Sequence, residues 1–568
     1  MNKPLGIALA DTLSRHAVAA ADCVRETVLH LAAERAIGHT GLDLEALNES
    51  DPQRPWAAQL LSSGVVGDGS GTHPLVLRHG IIRFARDARA EATIVARVRA
   101  AAAAPAQDHD GARLRPLMQK LFPAAATTCD WQALAAATVL RRDFSVIAGG
   151  PGTGKTTTVL RCLALLVARQ PNLRIALAAP TGKAAARLLE SIHAGLADFP
   201  PTCDSTALRA ALPPSATTIH RLLGFQPQRN HFRYQADRVL PVDVVVVDEV
   251  SMADVLLMRA LLVAVPASAR IILIGDSDQL ASVEAGYVLG DLCRAAGSDY
   301  SAASAQWATE LGLAVPPAIP QTSALAEMVV HLRHTYRFAN APGIGAVAAA
   351  LRSGDRAAVR AALGQTSADF TRLDHGAGPD AALGHLLPTA LACTQATDPA
   401  QAVQALQQMR ILAATRNGPW GVRALDAWLE QRLRAAGAPD DRGRPVLITA
   451  NDAHLGLANG DLGVTWREVG VDQAVFAVAD GLRRIPLQRL PAHESAWAMT
   501  IHKSQGSEYG QVAVVIPPGD GPWLTRELLY TGITRARNQV TVVGTVDQIT
   551  TAAGRSAARS TGLSRELA

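Results

Sequence analysis

The chain has 568 residues, of which 48% are apolar and 18% charged, and its net charge is +4. That is a globular balance with room for about three or four domains, no run approaches the roughly 18 uncharged apolar residues of a membrane helix, and a DNA footprint would have to be a local stripe. The opening segment MNKPLGIALADTLSRH carries Asp11 and Arg15 inside its apolar stretch, so no secretory signal is read and a cytoplasmic location is expected, while six scattered cysteines without a CxxC pair argue against a zinc site or a disulfide framework.

In chain order, residues 1 to about 100 read as helical, with an alanine-rich stretch from Ala17 to Ala33 and a final PLVLRHGIIRFAR that suits a short strand pair. The run Ala100 to Ala104, with Pro105 and QDHDGA behind it, reads as a linker closing an N-terminal unit of residues 1–110. From about 130 to 290, the apolar runs FSVIAGG, RIALAAP, VDVVVVDE and RIILIGD alternate with helical stretches, the signature of a parallel sheet with crossover helices. A first α/β domain over 111–335 follows, interrupted by a Ser/Ala/Pro-rich segment from Ala295 to Thr322. A second, over 336–552, has ILAATR, VAVVIP and VTVVGT as strands. Turn signals near 446–495 suggest a small β module inserted in it, and residues 553–568 read as a mobile tail.

The strongest local signal is GGPGTGKT: Gly149, Gly150, Pro151, Gly152, Thr153, Gly154, Lys155 and Thr156, with Thr157 next in the helical run that follows. It matches GxxxxGK[ST] in full and sits between a strand and a helix. The glycines let backbone N–H groups turn toward phosphates, Lys155 neutralises charge, and the Thr156 hydroxyl suits a magnesium ion. Downstream, VVVVDEVS delivers Asp248 and Glu249 to a strand end. Asp248 would hold the Mg2+ shell and Glu249 would polarise an attacking water, so the pair favours ATP hydrolysis over transfer to a hydroxyl substrate.

Beyond those two motifs the order and wording of the strings resemble the superfamily 1 helicases, specifically the RecD family, from Asp130 to near Thr550. The resemblance implies two RecA-like domains, a helical N-terminal domain that docks partner subunits, and a small SH3-like β insert. It makes Gln132 an adenine reader, as in a Q motif, and Gln279 of GDSDQLASVEAG a γ-phosphate sensor. APTGKAAARL resembles motif Ia, implying DNA phosphate contacts at Pro180, Thr181, Gly182 and Lys183; TIHRLLG adds His220. HTYRF supplies Arg337; MTIHKSQGSE supplies Thr500, His502, Lys503 and Ser504 for DNA and Glu508 for nucleotide; LLYTGITRAR supplies Arg535. The two arginines would close on the γ-phosphate from across a cleft. Phe225 to Asp237, within an insert near 225–240, falls where the family has a strand-separating hairpin. The activity implied is that of an ATP-dependent 5′–3′ DNA helicase, the alpha subunit of exodeoxyribonuclease V. Its partners would be single- and double-stranded DNA ends and beta (RecB-like) and gamma (RecC-like) subunits in a heterotrimer, with the nuclease site on a partner and no membrane. Two alternatives stay open: a free-standing RecD-like helicase, and a regulatory ATPase or interaction subunit of a nuclease.

Overall fold

The computed structural model describes residues 3–107, 111–126, 128–200, 203, 205–297, 299–319, 322–365, 367–452, 454–468, 470–478 and 481–567. The chain folds around two parallel sheets. In the first the strands run in the order Val329–Leu332, Phe144–Gly149, Arg270–Gly275, Val244–Val247, Ile175–Ala179 and Thr217–Thr218. Every neighbouring pair is parallel. The unbroken Val and Ile runs suit strands covered on both faces, where each alternate side chain meets a different helical layer. Val246, Ile272 and Ile274 face the helices Trp131–Arg141, Lys155–Arg169 and Gly182–Ala197. Val245, Val247 and Leu273 face the other layer, which contains Val255–Ala264 and Val288–Ala296.

That second layer also contains the helix Ala85–Ala103, whose Ala90, Ile94, Val95 and Val98 pack into the same core as Phe144, Val146 and Leu261. The expected boundary at 110 is therefore displaced: burying a Val or Ile side chain contributes about 1.5–3 kcal/mol, so this helix is part of the first domain's core. The expected linker lies partly on Asp108, His109 and Asp110, outside the described residues. The preceding region has its own core around Leu31, Trp56, Leu60 and Leu75. Its helices Lys3–His16 and Ala21–Ala36 accompany a four-stranded sheet. The expected strand pair is there, Leu75–Arg78 against Ile81–Phe84, turned by His79 and Gly80, both at positive φ.

Residues from the Ala295 to Thr322 segment form the helix Ala302–Glu310, and its Trp307 indole donates to the Ala137 carbonyl at 2.9 Å. The segment thus plugs the first domain's helical layer. Phe225–Gln226 pairs antiparallel with His231–Phe232 across a turn in which Asn230 is left-handed.

The second parallel sheet has the order Phe370–Leu373, Ala536–Val543, Tyr509–Val515, Met409–Ala413 and Ala498–Thr500. Between its members lies a five-stranded antiparallel sheet: Gly481–Pro486, Val471–Val478, Leu462–Glu468, Pro445–Ile448 and His493–Ser495. It closes over Val446, Ile448, Ala474, Phe476 and Ile485. Beyond the last helix of the second domain, Val546–Ala553, the chain is not the mobile tail expected. Residues 555–561 run back across the molecule and end in the helix Gly562–Leu567, whose Leu563 and Leu567 enter the first domain's core. Ala568 lies outside the described residues. Among the described residues no helix is long and apolar enough to cross a membrane.

Candidate active site

The phosphate loop leaves the buried strand Phe144–Gly149 and enters the helix Lys155–Arg169 through Gly154, at φ 79°, with Gly152 at φ 74°. Only glycine adopts these angles without strain. The Lys155 ammonium donates to the carbonyls of Gly149 (2.8 Å) and Gly150 (3.0 Å). Thr156 is half-buried at the helix start and Thr157 is exposed beside it.

Gln132 departs from expectation. Its Nε2 donates to Thr153 O at 2.9 Å and its Oε1 accepts from Arg161 at 3.3 Å, and it is 8% exposed. Both ends of the amide are engaged by protein groups, so it braces the phosphate loop from behind where an adenine reader was expected.

Asp248 leaves the strand Val244–Val247 with its N–H on Ala178 O at 2.9 Å. Glu249 follows at φ 52°, a left-handed conformation that costs a non-glycine residue about 1–2 kcal/mol. The carboxyl of Asp248 is pushed up to about 6, first by burial, then by the neighbouring Glu249, against the pull of Lys155.

Residues C-terminal to the first sheet reach this loop. Tyr336 N donates to Gly152 O at 2.8 Å and Thr335 Oγ1 to Pro151 O at 3.3 Å. Next in line, Arg337 packs on Gly152, where no Cβ would fit, and donates to Glu508 Oε1 at 2.5 Å. Its Nη1 is buried without a partner. Burial pushes the Glu508 carboxyl up, but Arg337, Arg187 and Arg535 outweigh it and hold the group down at about 2. Arg537 adds a second bond to Glu508 at 3.1 Å. Arg535, 3% exposed, donates to Thr531 O (3.1 Å) and Ser507 O (3.2 Å). These contacts lie within the second domain, so Arg535 is held as a brace between two of its motifs, while Arg337 is the arginine at the loop.

Gln279 sits in the loop after the strand Arg270–Gly275, donating to Asp276 Oδ2 at 2.8 Å with its Oε1 buried and unpartnered. Three contacts to this loop come from residues that the motif reading did not single out. Tyr530 OH donates to Asp276 Oδ2 at 3.2 Å and lies where a Cβ on Gly150 would be 2.7 Å away. Leu280 N donates to Thr531 Oγ1 at 2.9 Å, and Gln505 Nε2 to Leu280 O at 2.7 Å. Tyr530, Thr531 and Gln505 all lie inside or beside recognised strings; their pairing with the loop is long-range and has no local signature.

The residues expected to meet DNA divide. Thr181 caps the helix Gly182–Ala197, accepting from Ala184 N at 3.2 Å, and Pro180 precedes it. Gly182 abuts Ala458 of the β insert. Lys183 faces the seam between the domains: burial lowers its ammonium, with Tyr509 and Asp461 opposing. Thr500 ends its strand half-buried and His502 is exposed. Lys503 is paired with Glu494 at 2.5 Å. Ser504 is fully buried, its hydroxyl donating to Ile501 O at 2.7 Å, so it closes a turn where a phosphate contact was expected. His220 is exposed on the short helix Ile219–Leu222 before the hairpin, 5.5 Å from Phe225 and 5.8 Å from Phe232 between ring centroids.

A divalent cation fits this donor set only together with a phosphate. Among the described residues no group of three or more His, Cys, Asp or Glu could hold a metal, whereas a carboxylate such as Asp248 and a hydroxyl such as that of Thr156 are the kind of one or two protein ligands that a phosphate-bound cation would take.

Comparison with known proteins follows the same division of the chain. The AAA domain model matches residues 132–285 and the UvrD-like helicase C-terminal domain model residues 495–543. The chain is 41% identical over 469 residues to RecBCD enzyme subunit RecD of Mycobacterium tuberculosis, covering 80% of this chain and 75% of that one. It is 33% identical over 427 residues to the ATP-dependent RecD2 DNA helicase of Deinococcus radiodurans, with 74% of this chain and 49% of that one covered. Among solved structures, the Pif1 helicase of Candida albicans is similar at a TM-score of 0.39 and 16% identity, over 74% of this chain and 95% of that one.

Proposed function

Because this chain belongs to the RecD family of RecBCD enzyme subunits, we propose that it is the ATP-driven helicase subunit of such a complex, working at DNA double-strand ends in recombination and end degradation. The observation that carries the reading is the contact of Tyr336, Arg337 and Tyr530 with Gly152 and Gly150 of the phosphate loop. Hydrolysis is then sensitive to how the two parallel sheets stand, and a change in the cleft becomes a change in the grip on DNA.

Lys155 neutralises the phosphates, and Glu249 takes the proton of the attacking water as it adds to the γ-phosphorus and the ADP oxygen leaves. Thr156 and Asp248 would hold Mg2+, which when bound would supply Lewis-acid polarisation of the phosphate oxygens. Arg337 supplies charge to the transition state, and Gln279 links the loop to Leu280, which Thr531 and Gln505 hold. Pro180, Thr181, Gly182 and Thr500, with His220 and His502 at the edges, form the DNA track. The partners are RecB- and RecC-like subunits, one of which cuts the DNA, and the complex acts in the cytoplasm with 5′–3′ polarity.

Unwinding of duplexes with either a 5′ or a 3′ single-stranded tail, with ATP and Mg2+, tests this reading. Only the 5′-tailed substrate is expected to open; unwinding of the 3′-tailed one alone would refute the polarity. The identity to RecD2 supports a second reading, a free-standing helicase. Co-purification of two large subunits decides between them.

Asp248 adds a pH prediction. Its native carboxyl lies above the ordinary range, so the folded state holds this proton more tightly than the unfolded chain. Stability from the group is full at acid pH and is lost as pH climbs through about 6. Affinity for Mg2+ with a fluorescent ADP is expected to fall as pH drops through the same point. Glu249→Gln removes the repulsion and should move that midpoint down; an unmoved midpoint would show that Glu249 does not act on Asp248.

A further inference from the structure

The segment after the last helix of the second domain fastens three parts of the molecule together. It starts on the second domain: Arg555 donates to Asp520 Oδ2 at 2.6 Å, Ser556 Oγ to Glu527 Oε1 at 2.9 Å, and Ala557 N to Glu527 Oε2 at 2.7 Å. It ends on the N-terminal region and the first domain. Ser560 N donates to His39 Nδ1 at 2.8 Å, and Thr40 N to Ser560 O at 3.1 Å. Thr561 Oγ1 donates to Asp291 Oδ2 at 2.7 Å. Glu566 accepts from Arg83 at 3.0 Å, which also bonds Glu91 at 2.6 Å.

Between these ends Arg559 inserts its guanidinium into the loop that follows Gln279. It donates to Ser282 Oγ at 3.2 Å, to the carbonyls of Glu284 and Gly286 at 2.7 Å each, and to Ser282 O. The Ser282 hydroxyl also bonds the Glu284 and Gly286 carbonyls, at 2.8 and 3.3 Å, and a planar fork that takes several carbonyls at once fixes their mutual geometry. The same loop donates Gly286 N to Gly38 O at 3.0 Å, and Gly38 leaves no room for a Cβ beside Arg559.

We propose that Arg559 is a positioning residue for ATP turnover: it clamps residues 282–286, and so sets where Asp276, Gln279 and Leu280 stand when Thr531, Tyr530 and Gln505 meet them. The loop is held on one side by the second domain's motif residues and on the other by Arg559 and Gly38. Fixing one side makes a shift of the other felt at Gln279, because a loop clamped at its far end cannot absorb the displacement by bending. The strap also joins the N-terminal region to that clamp, so a load on this region reaches the cleft through Ser560 and Arg559. The inference rests on the ATPase reading, and its test separates the two.

Arg559→Ala and Arg559→Lys in the full chain are compared with wild type by single-strand-stimulated hydrolysis and by backbone amide exchange. In the alanine variant kcat is expected to fall about five- to tenfold, with the KM for ATP within about twofold. Amides of 279–286 should exchange faster while those of the strand Phe144–Gly149 do not. Lysine, which replaces part of the fork, should fall between. Unchanged exchange at 279–286 in Arg559→Ala overturns the clamp, and faster exchange with normal kcat overturns its role in turnover. Faster exchange throughout the chain with a lower melting temperature, unrelieved by lysine, reduces Arg559 to a fold residue. Because exchange at 279–286 needs no nucleotide, a wild type without ATPase would count against the proposed function while the clamp is still judged.

Discussion

Arg337→Ala is expected to lower single-strand-stimulated ATP turnover by about three orders of magnitude while nucleotide binding stays within about threefold. The side chain is set against Gly152 by the backbone bond from Tyr336, and one of its terminal nitrogens is buried without a partner. A donor held in that state at the phosphate loop gains most when negative charge builds on the γ-phosphoryl group, and little in the ground state. The phosphate loop itself keeps Lys155, Thr156 and Asp248, so binding survives. Glu508 keeps its bond to Arg537, so melting temperature should fall only modestly near neutral pH, by the part of the Glu508 contribution that Arg337 supplies. At acid pH the sign is fixed by Glu508, whose native carboxyl lies below its ordinary value. Its stabilising contribution is present above the ordinary carboxylate range and is lost as pH falls toward about 2. Removing Arg337 should flatten that loss. Arg535→Ala makes the contrast: its bonds to Thr531 and Ser507 are internal to the second domain, so turnover and melting temperature should fall together. Near-normal hydrolysis in Arg337→Ala would end the case for a two-domain cleft.

Lys155→Ala should cut turnover by about 10²- to 10³-fold and leave the fold intact. Among the described residues the ammonium's hydrogen bonds go to the loop carbonyls of Gly149 and Gly150, so no core contact is lost. It also offsets part of the burial cost of Asp248, and without it that carboxyl should hold its proton to higher pH. Turnover and a melting curve on the same preparation settle the point; more than a tenth of wild-type activity would remove Lys155 from the phosphate site.

What could be read from the amino acids followed the range of the interaction that carried it. The strands Phe144–Gly149, Val244–Val247 and Arg270–Gly275, and the loop Gly149 to Thr156, announce themselves because a buried strand needs a local apolar run and a phosphate loop needs its own glycines. The helix Ala85–Ala103 was assigned to the wrong side of a boundary: its apolar spacing marks a buried face but does not say against which sheet. Gln132, Lys183 and Ser504 were placed by position in a motif, and the side chains turned to partners that motif position does not specify, Thr153 O, the Tyr509 seam and Ile501 O. Short strands such as Val329–Leu332 and Ala498–Thr500 are too brief to show a period. The strap from Arg555 to Leu567 has the composition of a tail, because Ser, Arg, Gly and Ala in sequence look solvated. The bonds that fasten it to the rest of the molecule and the packing of its two buried leucines are long-range.

That strap also bears on the order in which the molecule is made. His39 and Ser560, which it joins, are separated by 521 positions. Domains form as they leave the ribosome, N-terminal first. The region around Trp56 can complete its own core early, yet Arg83 and Glu91 are buried against Glu566, a partner 483 positions beyond Arg83 along the chain. Until then a charged pair on a nascent surface waits in water. The region therefore cannot be finished until the segment after the second domain has been made, and a polypeptide interrupted before Arg559 would carry every nucleotide motif without the brace across its cleft.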